Sequence, residues 1–409
     1  MAQANPDRVL RDLYALREVG RYKTGVHRPT LSAEDLQTRH WLAKELRAIG
    51  HAAQIDGIAN VIGRAPGSGP KILAGSHIES QNYAGWLDGA LGVVYALEAA
   101  RAVAEDVALT AAGAGVDVIA FADEEGHFGH FFGSYSFVGA LAEETIDAAT
   151  DRTDGRRLRH ALAEAGLGDT PRARMEQGRC RAFLEAHIEQ GDSLEAAGLT
   201  IGVVTSIVAI WQYRVVVEGA QNHAGTTSMA RRKDAGAALR RICARIEEAF
   251  PQAAGPASVW TVGRITLDPG APSIVPGRAE MLFQLRDSDP AVLDRLHALL
   301  AELVAEEDRT GPCTARVETL GQSTPAHMDA AVQAAIEAAA EQHAPGRHLR
   351  MPSGAGHDAQ NLAPHLPTGM LFVPSIGGIS HHWTENTADD DIATGATVFV
   401  DAVDRLLKA

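Results

Sequence analysis

The amino-acid sequence predicts an α/β fold in which a sheet domain with helices on both faces is interrupted by an inserted, ferredoxin-like α+β domain. Three apolar runs look like buried strands, and each leads directly into a polar, glycine-containing loop: Lys71–Gly75, Val116–Phe121 and Thr368–Val373. The length of 409 residues exceeds what one hydrophobic core usually fills, so two domains are expected.

The first long helix is expected between Ser32 and Gly50. Ser32 and Asp35 form a Ser-x-x-Asp start, which is typical of a helix amino terminus, and the glycine provides a stop. The apolar residues of this segment are spaced so that they form one stripe along a helix: Leu36, Trp41, Leu42 and Leu46.

The insertion is predicted from a change of pattern between Trp211 and Leu320. Four segments there have strand patterns: Gln212–Glu218, Ser258–Ile265, Arg278–Arg286 and Cys313–Leu320. Two segments have helix patterns: Asp234–Phe250, after the first strand, and Ala291–Glu307, after the third. The order β-α-β-β-α-β is that of the ferredoxin-like split arrangement. We therefore expect residues 1–210 and 325–409 to form the sheet domain and residues 211–324 the inserted domain.

Charge and composition restrict the partners. The formal net charge is -15 and the longest basic run is Arg231–Lys233, so neither nucleic acid nor an anionic membrane is an expected partner, and a small molecule is. Charged residues interrupt the first 28 positions and no apolar segment is long enough to span a bilayer, which favours a cytoplasmic location. The three cysteines are too few and too dispersed for a disulfide framework or a thiolate metal site.

Ligand-type residues follow the predicted strands. His77 and Asp88 lie eleven positions apart in a loop, and imidazole and carboxylate both suit divalent metals, whereas a carboxylate can also bridge two ions. Three consecutive acids, Asp123 to Glu125, follow the strongest strand, and such neighbours repel unless cations neutralise them. One glutamate can then bind metal while the other accepts a proton.

Two further clusters place His187 and His381 in loops after apolar stretches. The five residues of ligand type are sufficient for two ions with three protein ligands each if Asp88 bridges: His77, Asp88, Glu125, His187 and His381. The ligand chemistry suits Zn, Mn, Co or Ni without selecting among them.

With these motifs in place, the sequence resembles the M20 metallopeptidase-like amidohydrolases, and within them the hydantoinase/carbamoylase branch. That branch includes N-carbamoyl-L-amino acid hydrolases, β-ureidopropionases and allantoate amidohydrolases. The matching motifs extend over nearly the whole chain: Asp56–Asn60, Ser76-His77, Asp88-Gly89, Asp123–Gly126, His187–Gly191, Asn222–Thr227, Gly354–Ala359 and Pro374–His381. His187 and the Gly354–Ala359 loop favour this branch, because the peptidases of the group generally use an acid where His187 stands.

The resemblance implies a homodimeric enzyme with two divalent metal ions per subunit, whose inserted domain acts as a lid and in dimerisation. One metal would take His77, Asp88 and His187, and the other Asp88, Glu125 and His381. Glu124 would be the general base, and His223 would polarise the scissile carbonyl. Arg286 would pair with a substrate carboxylate, Gln190 would be a further polar contact, and Ser273 stands at a position that contacts substrate in the family. His357 is crowded near the site and is a candidate either for supporting a ligand or for contacting substrate.

Four departures from the family pattern lie at or near the expected site. Glu79 stands where aspartate is usual, and Ser273 where asparagine is usual. The stretch Gly126–Phe132 is shorter than is usual in the family and lacks the customary arginine, and His382-Trp383 replaces the more usual Asn-Pro pair. We therefore expect the common metal chemistry with a substrate preference of its own.

The resulting hypothesis is a dinuclear-metal amidohydrolase that cleaves a linear C–N bond of an N-carbamoyl (ureido) or related N-substituted amino acid. An N-acyl amino acid deacylase or dipeptidase of the same superfamily is the alternative within the class. A metal-binding or ligand-binding protein that has lost catalysis is an alternative from another class, and the retention of Glu124 argues against it.

Overall fold

The chain forms two compact units in the computed structural model, which describes residues 2–409. The larger unit comprises the chain up to Thr205 and from His327 onward, and the smaller unit spans Ser206–Ala326. The sequence placed the corresponding boundaries at 210/211 and 324/325, a few residues inside the smaller unit.

The elements of the chain before the insertion are α1 Pro6–Glu18, β1 Arg21–Tyr22, β2 Gly25–Val26, α2 Ala33–Ala48, β3 Ala52–Ile55, β4 Val61–Arg64, β5 Lys71–His77, α3 Ala90–Glu105, α4 Val107–Ala111, β6 Gly115–Phe121, α5 Phe132–Val138, α6 Glu143–Ala148, α7 Leu158–Glu164, β7 Phe183–Ile188, α8 Ser193–Ala197 and β8 Ile201–Ile207. Those of the insertion are β9 Ala209–Glu218, β10 Asn222–His223, α9 Ala235–Ala253, β11 Val259–Asp268, β12 Ile274–Val275, β13 Arg278–Asp287, α10 Pro290–Thr310 and β14 Thr314–Gln322. The chain then continues with β15 Ala326–His327, α11 Ala330–His343, β16 His348–Ser353, α12 Ala359–Leu362, β17 Thr368–Val373 and α13 Asp389–Lys408.

A mixed sheet organises the larger unit, with strand order β15-β8-β17-β7-β5-β6-β4-β3 and β16 paired to β8. Its four central strands, β17, β7, β5 and β6, run parallel to one another, and antiparallel strands flank them. Every residue of these four strands is buried. A strand buried along its whole length is covered on both faces, which confirms the predicted α/β arrangement.

The predicted first helix is present as α2. The Ser32 hydroxyl accepts a hydrogen bond from the Asp35 N–H at 3.1 Å, which caps the helix amino terminus. Leu42 and Leu46 are buried as their spacing predicted, and the chain leaves the helix through Gly50 with a positive φ of 84°.

The smaller unit is a four-stranded antiparallel sheet with order β11-β13-β9-β14. Helices α9 and α10 pack on each other and on one face of this sheet. Along β13 the buried residues alternate with partly exposed ones, so its core face is Ala279, Met281, Phe283 and Leu285. This topology confirms the predicted ferredoxin-like arrangement.

The helices and the cysteines of residues 2–409 bear on membrane insertion and on disulfide formation. None of the helices in this range combines the length and the apolar character that crossing a membrane requires. Cys180, Cys243 and Cys313 are all free thiols.

Candidate metal centre and active site

The four ligand-bearing segments follow the four central strands. His77 is the last residue of β5, Asp123 to Glu125 follow β6 directly, and His187 lies at the end of β7. The loop after β17 carries His381. Because these strands are adjacent and parallel, their carboxyl ends lie at one edge of the sheet, where α/β proteins place their binding sites.

Two groups of three side chains could each hold a metal ion, and Asp88 belongs to both. The groups are His77, Asp88 and His187, and Asp88, Glu125 and His381. Oδ1 of Asp88 lies 3.3 Å from Nε2 of His77 and 3.1 Å from Nε2 of His187. Its Oδ2 lies 3.4 Å from Nε2 of His381, so the carboxylate divides its oxygens between the two groups.

Close packing places Asp88 beneath the imidazoles. The next residue, Gly89, has a φ of 65°, and a Cβ at that position would lie 2.3 Å from the His77 ring. Only glycine fits that close approach. The Asp88-Gly89 pair in the sequence is therefore a steric requirement of the ligand geometry.

The ring orientation of two histidines is set by backbone carbonyls. Nδ1 of His77 lies 3.2 Å from the Glu79 carbonyl, and Nδ1 of His187 lies 2.9 Å from the Ile188 carbonyl. A carbonyl only accepts, so each Nδ1 carries the proton. In the neutral ring each Nε2, on the side of Asp88, then keeps a lone pair that is available to a metal ion.

The three consecutive acids point in different directions. Asp123 is buried and accepts hydrogen bonds from the backbone N–H groups of His127 and Gly129, at 2.8 and 2.7 Å, so it stabilises the loop. Glu124 approaches the first group, with Oε2 3.7 Å from Nε2 of His77. Glu125 belongs to the second group. Adjacent positions in the sequence thus serve three separate purposes.

The buried carboxylates of the site require positive charge nearby to neutralise them. Burial, together with the neighbouring Glu125, raises the pKa of Glu124 well above its usual range. Burial would also raise the pKa of Asp88, but the imidazoles of His187, His381 and His77, which donate hydrogen bonds to it when they are protonated, hold it well below that range. A set of imidazoles and carboxylates that protons must otherwise neutralise fits divalent cations of borderline hardness.

Three residues in the loops at this edge of the sheet have a left-handed backbone conformation. Asp123, Gln190 and His381 have φ values of 60°, 60° and 55°, which non-glycine residues rarely adopt. Such strain persists only where the surrounding structure enforces it, and it is typical of functional sites.

Two of the predicted substrate contacts touch metal-ligand candidates. Nε2 of Gln190 donates a hydrogen bond to Oδ2 of Asp88 at 3.0 Å. His357 is buried, its ring centroid lies 4.6 Å from that of His187, and its Nε2 lies 2.9 Å from the Ser353 hydroxyl. In the structure both residues therefore support the ligands, and their contact with substrate stays a prediction.

The sequence did not single out two residues that hold the ligands. Glu385 is buried and accepts hydrogen bonds from the N–H groups of Leu87 and Asp88, at 3.2 and 3.1 Å. Nε2 of Gln81 donates to Oε2 of Glu125 at 2.7 Å. Glu385 lies four residues after His381 and Gln81 four residues after His77, but only the chain path reveals their targets.

His223 lies in the smaller unit, in the short strand β10, which pairs with β12. Its Nδ1 accepts hydrogen bonds from the N–H groups of Gly225 and Thr226, at 3.0 and 3.2 Å. The proton of the neutral ring must therefore reside on Nε2. His223 is exposed and thus presents an N–H donor, while the Ser273 carbonyl accepts from the N–H of the adjacent Ala224 at 2.8 Å.

Arg286 also lies in the smaller unit, near the end of β13. It is on the opposite side of the strand from the core residues Phe283 and Leu285, and its Nε donates to Oε1 of Gln284 at 2.8 Å. Burial lowers the pKa of its guanidinium. A partly desolvated guanidinium suits the binding of an anion.

Aromatic side chains surround the His382-Trp383 departure. The Trp383 ring lies 6.0 Å from Tyr22, and Tyr22 lies 4.7 Å from Tyr83 between ring centroids. The ammonium of Lys23 lies 3.6 Å from the centre of the Trp383 ring. This aromatic cluster, two residues after His381, offers flat apolar surface and a cation.

A mixed sheet that gathers imidazoles and carboxylates at parallel strand ends, combined with an inserted ferredoxin-like unit, defines a metal-dependent hydrolase. The chain belongs to Peptidase family M20/M25/M40, whose profile matches residues 77–405. Within that family it falls in the hydantoinase/carbamoylase branch of amidohydrolases, which act on non-peptide C–N bonds.

Individual relatives cover nearly the whole chain. The N-carbamoyl-L-amino acid amidohydrolase of Geobacillus stearothermophilus is 34% identical over 98% of this chain and 98% of its own length. The allantoate amidohydrolase of Escherichia coli (strain K12) is 34% identical over 91% of this chain and 90% of its own. Among solved structures, a hydantoinase/carbamoylase family amidase from Burkholderia phymatum has a TM-score of 0.94 and 45% identity, covering 100% of this chain and 99% of its own.

Proposed function

We propose that the protein hydrolyses the C–N bond of an N-carbamoyl (ureido) or related N-substituted amino acid that carries a free carboxylate. The observation that supports this most strongly is the division of the Asp88 oxygens between two three-residue groups, with Glu124 beside one of them. The relatives named above include enzymes for N-carbamoyl amino acids and for allantoate, and both names denote ureido compounds.

Two divalent ions per subunit, drawn from Zn, Mn, Co or Ni, are part of the proposal. His77, Asp88 and His187 would hold one ion, and Asp88, Glu125 and His381 the other. Bound ions of this kind polarise a carbonyl oxygen and lower the pKa of water.

Glu124 moves the proton in the proposed reaction. It accepts a proton from the attacking water as the oxygen adds to the ureido carbonyl, and it returns a proton to the leaving nitrogen as the C–N bond breaks. Burial raises the pKa of this carboxyl well above its usual range in the absence of ions, and bound cations would lower the pKa again, so that the carboxylate can accept the proton.

His223 stabilises the negative charge that develops on the carbonyl oxygen. Because its Nδ1 is occupied by two backbone N–H groups, the ring offers its Nε2–H as a donor without any change of tautomer. A fixed donor of this kind stabilises the transition state more than the ground state.

The substrate preference comes from three features, namely an arginine, a shortened side chain and an aromatic cluster. Arg286 binds the carboxylate, for which a guanidinium offers two parallel donors. Ser273 is shorter than the usual asparagine, and the aromatic cluster of Tyr22, Tyr83 and Trp383 adds apolar surface. A larger or more aromatic amino-acid side chain therefore suits this chain better than a small one.

Deacylation of an N-acyl amino acid is the second candidate, because the same general base and ions would serve it. The two reactions differ in their products. Hydrolysis of a carbamoyl group releases ammonia and carbon dioxide together with the amino acid, whereas hydrolysis of an acyl group releases a carboxylic acid and no ammonia.

A homodimer formed through the smaller unit completes the proposal. Strand β11 is an edge of its sheet and exposes apolar side chains along its length, namely Val259, Val262, Ile265 and Leu267. Exposed apolar edge strands are typical of surfaces that pair with another chain.

The experiment is a turnover screen of the protein loaded with each of the four metals, on matched N-carbamoyl and N-acyl derivatives of the same amino acids. We expect ammonia release from the N-carbamoyl compounds, at a higher kcat/KM for aromatic than for small side chains. Turnover of the N-acyl series alone would establish the deacylase instead, and turnover of neither would contradict the proposed function.

A further inference from the structure

A buried ion-pair network connects helix α2 to the general base. Arg39 has no exposed surface, and its Nε donates to Oδ2 of Asp35 at 2.9 Å. Its Nη2 donates to Oε2 of Glu79 at 2.5 Å. Its Nη1 donates to the carbonyls of Ala59 and Phe121, at 2.8 and 3.2 Å. All three nitrogens of the guanidinium are thus engaged inside the protein.

The partners of Arg39 surround the general base. Phe121 is the last residue of β6, three residues before Glu124. Glu79 receives Arg39 on one oxygen, while its Oε1 accepts the backbone N–H of Glu124 at 2.7 Å. A continuous chain of contacts therefore leads from Asp35 through Arg39 and Glu79 to Glu124.

Glu79 also touches the first metal-ligand group. Its carbonyl faces Nδ1 of His77 at 3.2 Å, and its Oε1 lies 4.0 Å from the same atom. The carbonyl fixes the ring orientation of His77, whose Nε2 lies beside Asp88. One residue thus holds both a ligand candidate and the backbone of the base.

Burial makes this arrangement depend on Arg39. Both oxygens of Glu79 are fully buried, and a buried carboxylate that loses its charged partner is strongly destabilised. Without the guanidinium, Glu79 loses the contact that fixes one of its oxygens, and its other oxygen is no longer held against the Glu124 N–H. The glutamate at position 79 reaches Arg39 and the Glu124 N–H at the same time. This double contact explains why glutamate stands where aspartate is usual.

We propose that Arg39 is a positioning residue for the reaction, which sets Glu79 and through it both the general base Glu124 and the ligand His77. The role of Glu124 in this inference rests on the proposed function, whereas the effect on His77 and on metal binding does not depend on the substrate.

The test uses the full-length protein with four changes: Arg39→Met, Arg39→Lys, Glu79→Gln and the double variant Arg39→Met with Glu79→Gln. Arg101→Met is the matched control, because Arg101 is only 6% exposed and binds Asp12 and Glu45, at 2.5 and 2.8 Å, away from the strand-end loops. Metal affinity is measured by calorimetric titration with Zn²⁺, and kcat and KM are measured on the best ureido substrate.

Arg39→Met should lower kcat roughly 10- to 100-fold and weaken Zn²⁺ binding, with KM nearly unchanged, as expected for residues that orient metal ligands. Arg39→Lys should recover part of the loss, because an ammonium keeps the charge but cannot match all the contacts of the guanidinium. The double variant should be no worse than either single one, since both remove the same interaction. The Arg101→Met control should lose thermal stability while keeping kcat and Zn²⁺ affinity.

Normal kcat and Zn²⁺ affinity in folded Arg39→Met would overturn the inference and leave Arg39 a purely structural residue. If Arg39→Met does not fold, Arg39→Lys and Glu79→Gln are combined instead, and additive effects on kcat would overturn it equally. A wild-type protein that cleaves no ureido substrate contradicts the proposed function, and the Zn²⁺ affinities of the same variants then still decide the role of Arg39.

Discussion

Oδ2 of Asp88 lies 3.4 Å from Nε2 of His381, whereas the other oxygen of this carboxylate faces two buried histidines. His381 differs from those histidines, because 53% of its side chain is exposed. The two three-residue groups therefore share one carboxylate but differ in their access to solvent.

Metal stoichiometry follows from this relationship. We expect two ions per wild-type chain after loading and desalting, about one in His381→Ala, and fewer than one in Asp88→Ala because both groups lose a ligand. Elemental analysis measures the content. A wild-type plateau at one ion with full activity would contradict the bridging role of Asp88.

Proton release should accompany metal uptake. The hydrogen bond to Asp88 is the main cause that raises the pKa of His381 to about 9. Below that pH the metal-free imidazole is protonated, and an ion must displace the proton, so the apparent affinity should rise with pH until about pH 9. Calorimetric titrations at pH 8 in buffers of different ionisation enthalpy should detect release, and equal heats in all buffers would argue against it.

Glu124→Gln should keep near-normal metal content while kcat falls roughly a hundredfold or more, because the isosteric amide cannot accept the proton. Asp123→Asn is the matched control in the next position. Asp123 bonds to loop amides, so its variant should lower thermal stability more than kcat. The reverse ranking of the two variants in kcat would transfer the role of base to Asp123.

His223→Ala should lower kcat by roughly 10²- to 10³-fold, the range found when an oxyanion donor is removed, with little change in KM. His223→Gln keeps a side-chain N–H and should retain more activity than the alanine variant. Steady-state kinetics on one substrate measures both variants. A rise in KM at unchanged kcat would assign His223 to ground-state binding instead.

Arg286→Ala should raise KM by about 30-fold or more, equivalent to the roughly 2 kcal/mol or more lost when a charged partner is removed. Its effect should vanish on the amide form of the substrate, which carries no carboxylate. Ser273→Asn should shift the preference towards smaller side chains. Wild-type protein that accepts the neutral amide as readily as the acid would remove the carboxylate role of Arg286.

The two-domain organisation and the ligand types could be read from the chain because they depend on local patterns. Apolar runs such as Thr368–Val373 end where their strands end, since a strand buried on both faces must be apolar along its length. His77, Glu125, His187 and His381 are each polar residues that follow such a run. Their grouping could be inferred because the carboxyl ends of neighbouring parallel strands share one edge.

The ion-pair partners of Arg39 could not be predicted from the local sequence. Asp35 and Arg39 lie at helical spacing from Leu42 and Leu46, on the stripe that the structure buries. That spacing predicts buried charges, but it names no partner. Glu79 lies 40 residues further along the chain, and only the packing of α2 against the sheet domain brings the two charges together.

The sequence by itself determined the α/β class, the inserted ferredoxin-like unit and the residue types at the metal centre, because strand burial, element order and ligand chemistry are local properties. Only the tertiary structure decided which contacts each of those side chains makes. It separated Asp123, Glu124 and Glu125 into a loop support, a carboxylate beside His77 and a partner of His381. It also turned Gln190 towards Asp88 and placed His357 behind His187. These directions depend on side-chain orientations and on contacts between distant segments, which no local pattern encodes.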